Sequence, residues 1–376
     1  MRVALVHDWL VTYRGGEKVL EAISELFPEA EIHTLLYRRG TQSPALERAR
    51  IHTSFLQRVP GALEHHRQML PLMPPAIRSL RLGECDLVIS SSHCVAKGVR
   101  VPEGARHLSY VHAPMRFMWD RFGDYFGPGR APLPVRGAAL ALRPWLQGWD
   151  RRSARGVDRF VANSAHVAGQ IRRLYGREAE VIHPPVDLER FTRLPLEGSG
   201  RGGYFLWFGA LAPYKRVDLA VEAFARLGAP LWIAGSGQER VGRPPPNVKL
   251  LGQVPDAEVP ALLHGARALV FPGEEDFGIA PVEAQACGRP VIAYAGGGAL
   301  ETTSPRTALH FPEQTVDALC EAVRGFDAFE AGFRSADARQ NAMRFSKAAF
   351  QAALRGAVDS LMGAGAGAGV RRAALG

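Results

Sequence analysis

Residues 271–294, FPGEEDFGIAPVEAQACGRPVIAY, carry the clearest signals of secondary structure in the chain. This stretch begins and ends in short aliphatic runs of the kind that form buried strands. Between them, Pro281 suits the first turn of a helix, where its missing N–H costs nothing. Gly288 then ends that helix, and Pro290 blocks its continuation. The stretch therefore predicts a strand, a loop, a helix and a second strand, which is the repeating unit of a parallel α/β sheet.

The loop of this unit carries groups from which a binding site can be built. The residues Phe277, Gly278 and Ile279 present amides at the start of the helix, and such amides bind phosphate or sugar oxygens. Glu275 and Glu283 lie on either side of these amides, and carboxylates accept hydrogen bonds from paired hydroxyls. The alternative is that Glu283 only complements the helix dipole from the first turn.

Strand-like and helical patterns alternate along the rest of the chain, which is typical of parallel α/β layers. Candidate strands are residues 2–7, 30–35, 86–90, 107–112, 159–162 and 179–182, followed by 204–208, 231–234, 248–251, 268–271 and 290–294. Apolar residues spaced by three and four predict helices over residues 17–26 and 218–227. We expect two Rossmann-like doubly wound domains that face each other across a cleft, where the carboxyl ends of the strands meet.

The boundary between these domains is predicted by turn-forming residues. His183–Pro184–Pro185 and the glycine-rich stretch 198–203 are typical of a linker. The predicted domains are residues 1–185 and 186–345, with a C-terminal helix over 346–362 that returns to the first domain. The low-complexity tail 363–376 is expected to be flexible.

Composition favours a soluble protein with a core in each domain. The chain has 376 residues, of which 47% are hydrophobic and 22% are charged. Its first apolar stretch is short and interrupted by His7 and Asp8, unlike a signal peptide. No run approaches the ~20 apolar residues of a membrane-spanning helix. The four cysteines show neither zinc-type spacing nor the density of a disulfide scaffold, so we expect a reduced cytoplasmic protein.

The positive charge is concentrated in the first half of the chain. Residues 1–185 hold 26 Lys+Arg against 17 Asp+Glu, which accounts for the whole net charge of +9. Such a surface suits an anionic lipid or an anionic substrate, and nucleic acid is disfavoured because no nucleic-acid-binding module is recognisable. Residues 51–82 interleave apolar side chains with arginines. This stretch either lies on anionic membrane or covers the sheet with a solvated basic face.

A resemblance to a known family rests on residues 275–288, which follow the pattern E-x-F-G-x-x-x-x-E-A-x-A-C-G. This pattern resembles the nucleotide-sugar signature of glycosyltransferase family 4, a family of retaining enzymes with the GT-B fold. Neighbouring segments agree with the family in order from Gly15 to about Phe350. The resemblance implies that Glu275 contacts the donor sugar and that Glu283 binds the ribose of the nucleotide.

Two further segments resemble parts of the family's donor site. In FGALAPYKRV, residues 208–217, the resemblance implies that Lys215 neutralises the donor diphosphate. Many members carry an arginine where this chain has Ala210, so either Arg216 replaces it or Lys215 and loop amides suffice. Gly15 and Gly16 resemble the family's Gly-Gly turn, which lines the donor site from the first domain.

The segment YVHAPMRFMWD, residues 110–120, resembles a motif whose histidine lies beside the transferred sugar, which assigns that place to His112. Its longer form resembles bacterial mannosyltransferases that build surface polysaccharides, which implies GDP-mannose as the donor. Arg116, Trp119 and Asp120 are candidates for the acceptor side, although Trp119 suits the core equally well.

Three positions leave alternatives open. Ser164 either lines the cleft or caps the following helix. Val254 lies where family members use backbone groups to read the base, while Asp256 is expected to cap the next helix. Gly235–Ser236–Gly237 follows a strand, but Arg240 stands where a dinucleotide fingerprint needs its third glycine. A nicotinamide site is therefore rejected.

The function implied by the resemblance is transfer of a hexose, mannose from GDP-mannose, to a glycan or lipid-linked acceptor with retention of configuration. His112, Lys215 and Glu275 are the predicted catalytic residues, and neither a metal nor another cofactor is expected. Fixed cations and helix-end amides stabilise a leaving diphosphate. A nucleotide-sugar epimerase of the same architecture and a non-catalytic sugar-binding protein are the alternatives. The expected location is the cytoplasm, or a peripheral position on the inner face of the cytoplasmic membrane.

Overall fold

The chain folds into two compact units. The structure, a computed structural model, describes residues 1–194, 203–237 and 241–373, with side chains as far as residue 364. The first unit comprises Met1–Pro185 together with the C-terminal segment that begins at Ala348, and the second comprises Val186–Lys347. Each unit is built on one parallel sheet covered by helices, so the prediction of two parallel α/β domains is confirmed.

The first unit contains a seven-stranded sheet in the order β3-β2-β1-β4-β5-β6-β7. Its strands are β1 (Val3–His7), β2 (Glu31–Thr34), β3 (Ile51–Thr53), β4 (Leu87–Ser92), β5 (Arg106–Val111), β6 (Arg159–Ala162) and β7 (Ala179–Val181). The order reverses between β1 and β4, and ligands of doubly wound folds bind at such a switch point.

The second unit contains a six-stranded sheet in the order β10-β9-β8-β11-β12-β13. Its strands are β8 (Phe205–Phe208), β9 (Leu231–Ala234), β10 (Val248–Gly252), β11 (Leu269–Phe271), β12 (Val291–Tyr294) and β13 (Ala308–Phe311). Here the switch point lies between β8 and β11, which are parallel neighbours.

Helices connect the strands of both sheets. They are α1 (Gly15–Leu26), α2 (Pro44–Arg48), α3 (Met73–Ser79), α4 (Phe122–Phe126), α5 (Leu133–Ser153), α6 (Ala165–Tyr175), α7 (Leu188–Thr192), α8 (Val217–Leu227), α9 (Val259–Gly265), α10 (Ile279–Ala286), α11 (Ala299–Thr302), α12 (Val316–Arg324), α13 (Phe326–Gly332), α14 (Ser335–Ala342) and α15 (Lys347–Ala373). Of the helices that the structure describes, none has both the length and the apolarity required to cross a membrane.

The side chains of the first sheet alternate between its two faces and pack into a hydrophobic core on each face. Leu5 and Ile32 face α1 and the buried residues of α15, including Phe350. Val6 and Val88 point to the opposite face, because successive residues of a strand alternate between faces.

The apolar residues of the stretch 51–82 belong to this second core. Leu56, Met73 and Ile77 are almost fully buried in it. The stretch consists of β3, two short 3-10 helices and α3, and so it covers the sheet. This result favours the covering interpretation over a membrane-bound helix.

The structure adds two strands that the sequence patterns did not predict, β3 and β13. Strand β3 has only three residues, Ile-His-Thr, which is too short for a recognisable alternation. Helix α15 continues beyond residue 362, where we expected it to end and a flexible tail to begin. Most of the predicted linker stretch 198–203 lies outside the described residues.

Candidate functional site

The second unit brings together two of the predicted site residues. The Nζ atom of Lys215 lies 2.8 Å from Oε1 of Glu275, and the two side chains are 17% and 16% exposed. Lys215 ends a single 3-10 turn after β8, and Glu275 lies in the loop after β11. Because β8 and β11 are neighbours in the sheet, their carboxyl ends place these loops side by side. The ion pair therefore stands at the switch point of the second sheet.

Glycines allow the loops around this ion pair to pack closely. A Cβ atom on Gly273 would lie 2.6 Å from the Cα atom of Lys215. Gly209 has a φ of +147°, and a Cβ atom there would lie 3.2 Å from the Lys215 Nζ atom. The amide of Gly298 donates a hydrogen bond of 2.8 Å to the Glu275 carbonyl. Backbone contacts thus fix the positions of both charged residues.

Helix α10 begins beside the same loop, at Ile279, so that Pro281 lies in its first turn as predicted. Gly278 precedes it in the left-handed region, with a φ of +87° that favours glycine. By their position in the first turn, the amides of Ile279 and Ala280 have no acceptor within the helix. Phe277 is buried, with its ring 5.4 Å from that of Phe345. The helix start is thus anchored next to Glu275.

Glu283 lies in the second turn of α10, because the helix begins at Ile279. The first turn holds no acidic residue. A carboxylate acts on the helix dipole mainly within the first turn, so the dipole interpretation of Glu283 loses its basis. Glu283 is partly buried, and its role as a ligand of the ribose stays a prediction.

Arg216 does not join the ion pair among the contacts of this structure. It adopts a left-handed backbone with a φ of 50°. Its Nε atom lies 3.2 Å from Asp218, and its NH1 group donates to the Gln314 carbonyl at 3.5 Å. Arg216 can therefore replace the arginine that the chain lacks at Ala210 only if it leaves Asp218 and Gln314 to bind the diphosphate.

The loop after β10 differs from expectation at one residue. Val254 is partly buried against the core of the second unit. Helix α9 begins at Val259 with Glu258 at its N-cap, so Asp256 stands too far upstream to cap it. Asp256 forms an ion pair of 3.4 Å with Arg190 instead. The predicted cap was wrong.

The first unit gathers histidines at its own switch point. His112 follows β5, and its Nε2 atom lies 2.8 Å from the Ser91 hydroxyl. The same hydroxyl lies 3.1 Å from Nδ1 of His7, the last residue of β1. A Cβ atom on Gly16 would lie 3.9 Å from His112 Nε2 and 3.7 Å from the His7 ring. We call His7, Ser91 and His112 the histidine relay; the Gly15–Gly16 turn that opens α1 packs against it.

Asp8 holds the turn that follows β4. Its buried carboxylate accepts hydrogen bonds from four consecutive amides, those of residues 93–96, at 2.6–2.9 Å. It also lies 3.1 Å from Nδ1 of His93. These contacts fix the turn that follows β4, and β4 is the strand that carries Ser91. Asp8 is therefore a positioning residue.

Burial disfavours the charged form of both imidazoles of the relay. Burial and, to a lesser extent, the neighbouring His93 lower the pKa of His7 to about 4. Burial likewise holds the pKa of His112 well below its usual value. The Nε2 atom of His7 is buried and has no hydrogen-bond partner among the residues that the structure describes. A neutral ring offers either a donor or an acceptor to a sugar hydroxyl.

Three candidates for the acceptor side have protein partners. Trp119 donates from Nε1 to Asp150 at 2.8 Å and packs partly against the core, which favours its structural interpretation. Asp120 forms a surface ion pair of 2.5 Å with Arg173. Arg116 lies close enough to His112 and His93 to lower their pKa values. Of the three, Arg116 alone remains associated with the relay.

Ser164 is fully buried at the start of α6. Its hydroxyl accepts a hydrogen bond of 3.1 Å from the Val167 amide, which makes it the N-cap of that helix. The neighbouring Asn163 donates from its side chain to the His112 carbonyl at 2.9 Å. The structure thus favours the capping role for Ser164 and gives Asn163 the contact with the relay.

The residues that sequence reasoning missed are His7, Asp8 and Ser91. All of them stand at or just beyond the carboxyl ends of strands, where ligands of parallel sheets bind. A systematic search of strand ends for polar residues is the signal that could have found them.

Comparison with known proteins assigns the class. Residues 13–190 match the family model described as glycosyltransferase family 4, and residues 202–326 match the model described as glycosyl transferases group 1. Both models describe glycosyltransferases, and each of them covers less than half of the chain.

Individual relatives agree with this class. The chain is 34% identical to a D-inositol 3-phosphate glycosyltransferase of Geodermatophilus obscurus over 38% of its own length and 39% of that protein. The match thus spans about two fifths of this curated relative.

Solved structures share the fold over the whole chain. Sucrose-phosphate synthase from Thermosynechococcus elongatus has a TM-score of 0.72 at 18% identity, covering 97% of this chain and 100% of that one. HepE from Anabaena, solved with UDP-glucose, has a TM-score of 0.65 at 16% identity, covering 96% and 100%. At such identities the likeness establishes the GT-B fold.

Proposed function

We propose that the chain is a retaining glycosyltransferase whose second unit binds the diphosphate of a nucleotide sugar. The observation that carries this proposal is the ion pair of Lys215 and Glu275, placed beside the start of α10. The ammonium supplies a cation for the phosphates, and the carboxylate accepts hydrogen bonds from sugar hydroxyls. A cation and a carboxylate held together in this way suit a ligand that carries both phosphates and sugar hydroxyls.

The chemistry of the leaving group supports the same assignment. When the anomeric carbon separates from the diphosphate, negative charge grows on the phosphate oxygens. The Lys215 ammonium and the amides of Ile279 and Ala280 are fixed in advance, so they stabilise this charge without reorganisation. We further propose that the transfer needs neither a metal nor another cofactor. Turnover at saturating donor should then be unchanged by EDTA.

The donor we propose is GDP-mannose, on the resemblance of residues 110–120 to mannosyltransferases of surface polysaccharides. The proposed acceptor is a glycan or a lipid-linked sugar. The name of the relative from Geodermatophilus obscurus favours an inositol phosphate as a second acceptor class. A lipid-linked sugar diphosphate and an inositol phosphate are both anionic. The excess of positive charge in the first half of the chain suits either of them, since residues 1–185 contain 26 Lys+Arg and 17 Asp+Glu.

The test is transfer from labelled donors. The full chain is incubated with GDP-mannose or UDP-glucose, in each case with a polyprenyl-diphosphate sugar, D-inositol 3-phosphate or no acceptor. We expect a mannosylated product of retained configuration, lost in Lys215→Ala and kept in Lys249→Ala, an exposed lysine of the same unit. Conversion of the donor without an acceptor would favour the epimerase. Binding of donors without turnover would favour the sugar-binding protein.

Membrane contact is proposed for helix α5 instead of the stretch 51–82. Leu133, Leu140 and Trp145 are 79%, 48% and 44% exposed. Across residues 133–145 of this described helix, every exposed position is apolar, and the two arginines within it are partly buried. Arg130 precedes the helix, while Arg151 and Arg152 lie exposed near its end. Contiguous apolar surface of this kind marks an interaction site, and the flanking cations suit an anionic bilayer.

Vesicle binding decides between the two segments. We expect the chain to sediment with phosphatidylglycerol vesicles and to lose this binding in Leu140→Glu. The matched control is Leu72→Glu, because Leu72 is 45% exposed within the stretch 51–82. Loss of binding in Leu72→Glu alone would return the contact to that stretch. Equal binding to neutral vesicles would exclude a contribution from the arginines.

A further inference from the structure

A cluster of metal-binding side chains lies at the edge of the first sheet, on strands β2 and β3. Glu31 and His33 are two residues apart on β2, so their side chains lie on the same face. The register pairs His33 with His52 of β3. Each of the three residues offers one ligand atom, and these atoms all lie within 4.8 Å of one another.

One member of this cluster is buried without a partner. His33 is only 2% exposed, and its Nδ1 atom forms no hydrogen bond with any residue that the structure describes. Its ring stacks on that of His52, with centroids 4.8 Å apart. A buried polar atom without a partner is costly, which calls for a ligand at this place. None of the steps proposed for sugar transfer uses these residues.

We propose that Glu31, His33 and His52 bind a divalent metal ion of the zinc type. Two imidazoles and one carboxylate form one of the recurring ligand sets of zinc, in which water occupies the fourth position. In a tetrahedral site, two ligands at about 2.0–2.1 Å from one ion lie about 3.4 Å apart, so the side chains need to close by up to about 1.4 Å. Rotation of the exposed His52 side chain supplies such a movement.

The carboxylate of Glu31 is already oriented towards the cluster. Its Oε2 atom lies 3.0 Å from Nε2 of His52, while Oε1 binds NH1 of Arg50 at 2.7 Å. Arg50 therefore competes with a cation for this carboxylate, and its removal should strengthen metal binding. A role in packing alone makes no such prediction.

The ion would join the outermost strand to its neighbour. Strand β3 is an edge strand of three residues, so few hydrogen bonds hold it. A ligand that binds the folded state alone stabilises it in proportion to the logarithm of its concentration. We therefore expect the ion to stabilise the edge of the sheet, and its loss should leave the rate of sugar transfer unchanged at temperatures well below unfolding.

The test is a titration of the full chain, freed of metal, with Zn²⁺ in a calorimeter. The variants are His52→Ala, Arg50→Ala and His65→Ala; His65 is another exposed histidine of the first unit and serves as the control. We expect one strong site in the wild type and the His65 variant. Binding should weaken by at least about tenfold in His52→Ala, since even groups that only orient metal ligands contribute 10–100-fold. It should tighten in Arg50→Ala.

A second readout identifies the ligands. Co²⁺ bound at this site should show the visible spectrum of nitrogen and oxygen ligands without thiolate charge transfer, and the spectrum should disappear in His52→Ala. Binding of Zn²⁺ that is equal in the wild type and His52→Ala would overturn the proposal, as would the absence of a strong site in the wild type. Weaker binding in Arg50→Ala would contradict the arrangement of Glu31.

Discussion

The two units present opposite kinds of site at their switch points. In the second unit, Lys215 and Glu275 form a charged pair that is partly exposed. In the first unit, the histidine relay is buried and neutral, because burial lowers the pKa values of His7 and His112. A charged pair suits the diphosphate and hydroxyls of a donor, whereas neutral imidazoles suit a sugar that carries no charge. This difference shows that two units of the same fold acquire distinct chemistry from the residues at the ends of their strands.

The charged site should show the largest effect of a single substitution. Lys215→Ala removes the cation nearest to the proposed diphosphate, and loss of one fixed group that stabilises developing charge costs about 10²–10³ in turnover. Steady-state rates with saturating donor measure this effect, with Lys249→Ala as control. A rate near that of the wild type would show that Lys215 does not stabilise the diphosphate. Another cation would then have this role, and Arg216 is the first candidate.

Glu283 should affect binding of the nucleotide rather than the fold. Glu283→Ala removes a carboxylate outside the first turn of α10, so we expect the helix to persist. Loss of hydrogen bonds to a charged group should weaken nucleotide binding by about 1–3 kcal/mol. Calorimetry with GDP and UDP measures the change. Unaltered affinity for both nucleotides would separate Glu283 from the site.

The neutral site should respond more weakly. Ser91→Ala breaks both hydrogen bonds of the relay and leaves its histidines in place. A neutral hydrogen bond contributes about 0.5–1.5 kcal/mol, so turnover should fall roughly 2–10-fold for each bond that matters in the reaction. Ser90→Ala is the matched control, because Ser90 binds the unrelated His107 from the preceding position of β4. Equal rates in the two variants would leave the relay with a purely structural role.

Acid stability should reveal the neutral state of the relay. The pKa of His7 is about 4 in the folded chain and about 6.5 when unfolded, so the unfolded chain binds a proton between these values that the folded chain does not. The free energy of unfolding should therefore fall as pH decreases from about 6.5 towards 4. His7→Gln should reduce this slope by up to about 1.4 kcal/mol per pH unit. Hydrogen exchange of β1 and β4 amides measures it, and an unchanged slope would show that His7 titrates normally.

Sequence patterns predicted the charged site better than the neutral one, for a physical reason. Residues 271–294 carry local signals, such as Pro281 and Gly288, that define a loop and a helix without reference to the rest of the chain. The relay depends on the register of β1 and β4, which brings His7 beside Ser91 across 84 positions. That register is set by packing and is not visible in either segment alone.

Errors at single residues have a similar origin. Asp256 was expected to cap α9, yet that helix begins later and the carboxylate pairs with Arg190. Ser164 was correctly given a capping alternative, but its complete burial depended on the packing of α6.

Binding of the donor diphosphate by Lys215 can be measured in a thermodynamic cycle. Calorimetry compares a nucleoside diphosphate with its monophosphate, for the wild type and for Lys215→Ala, using whichever of GDP and UDP binds. We expect the wild type to prefer the diphosphate and the variant to lose most of that preference, since charge-assisted hydrogen bonds are worth about 1.5–3 kcal/mol. A preference that is equal in the two proteins would contradict the account.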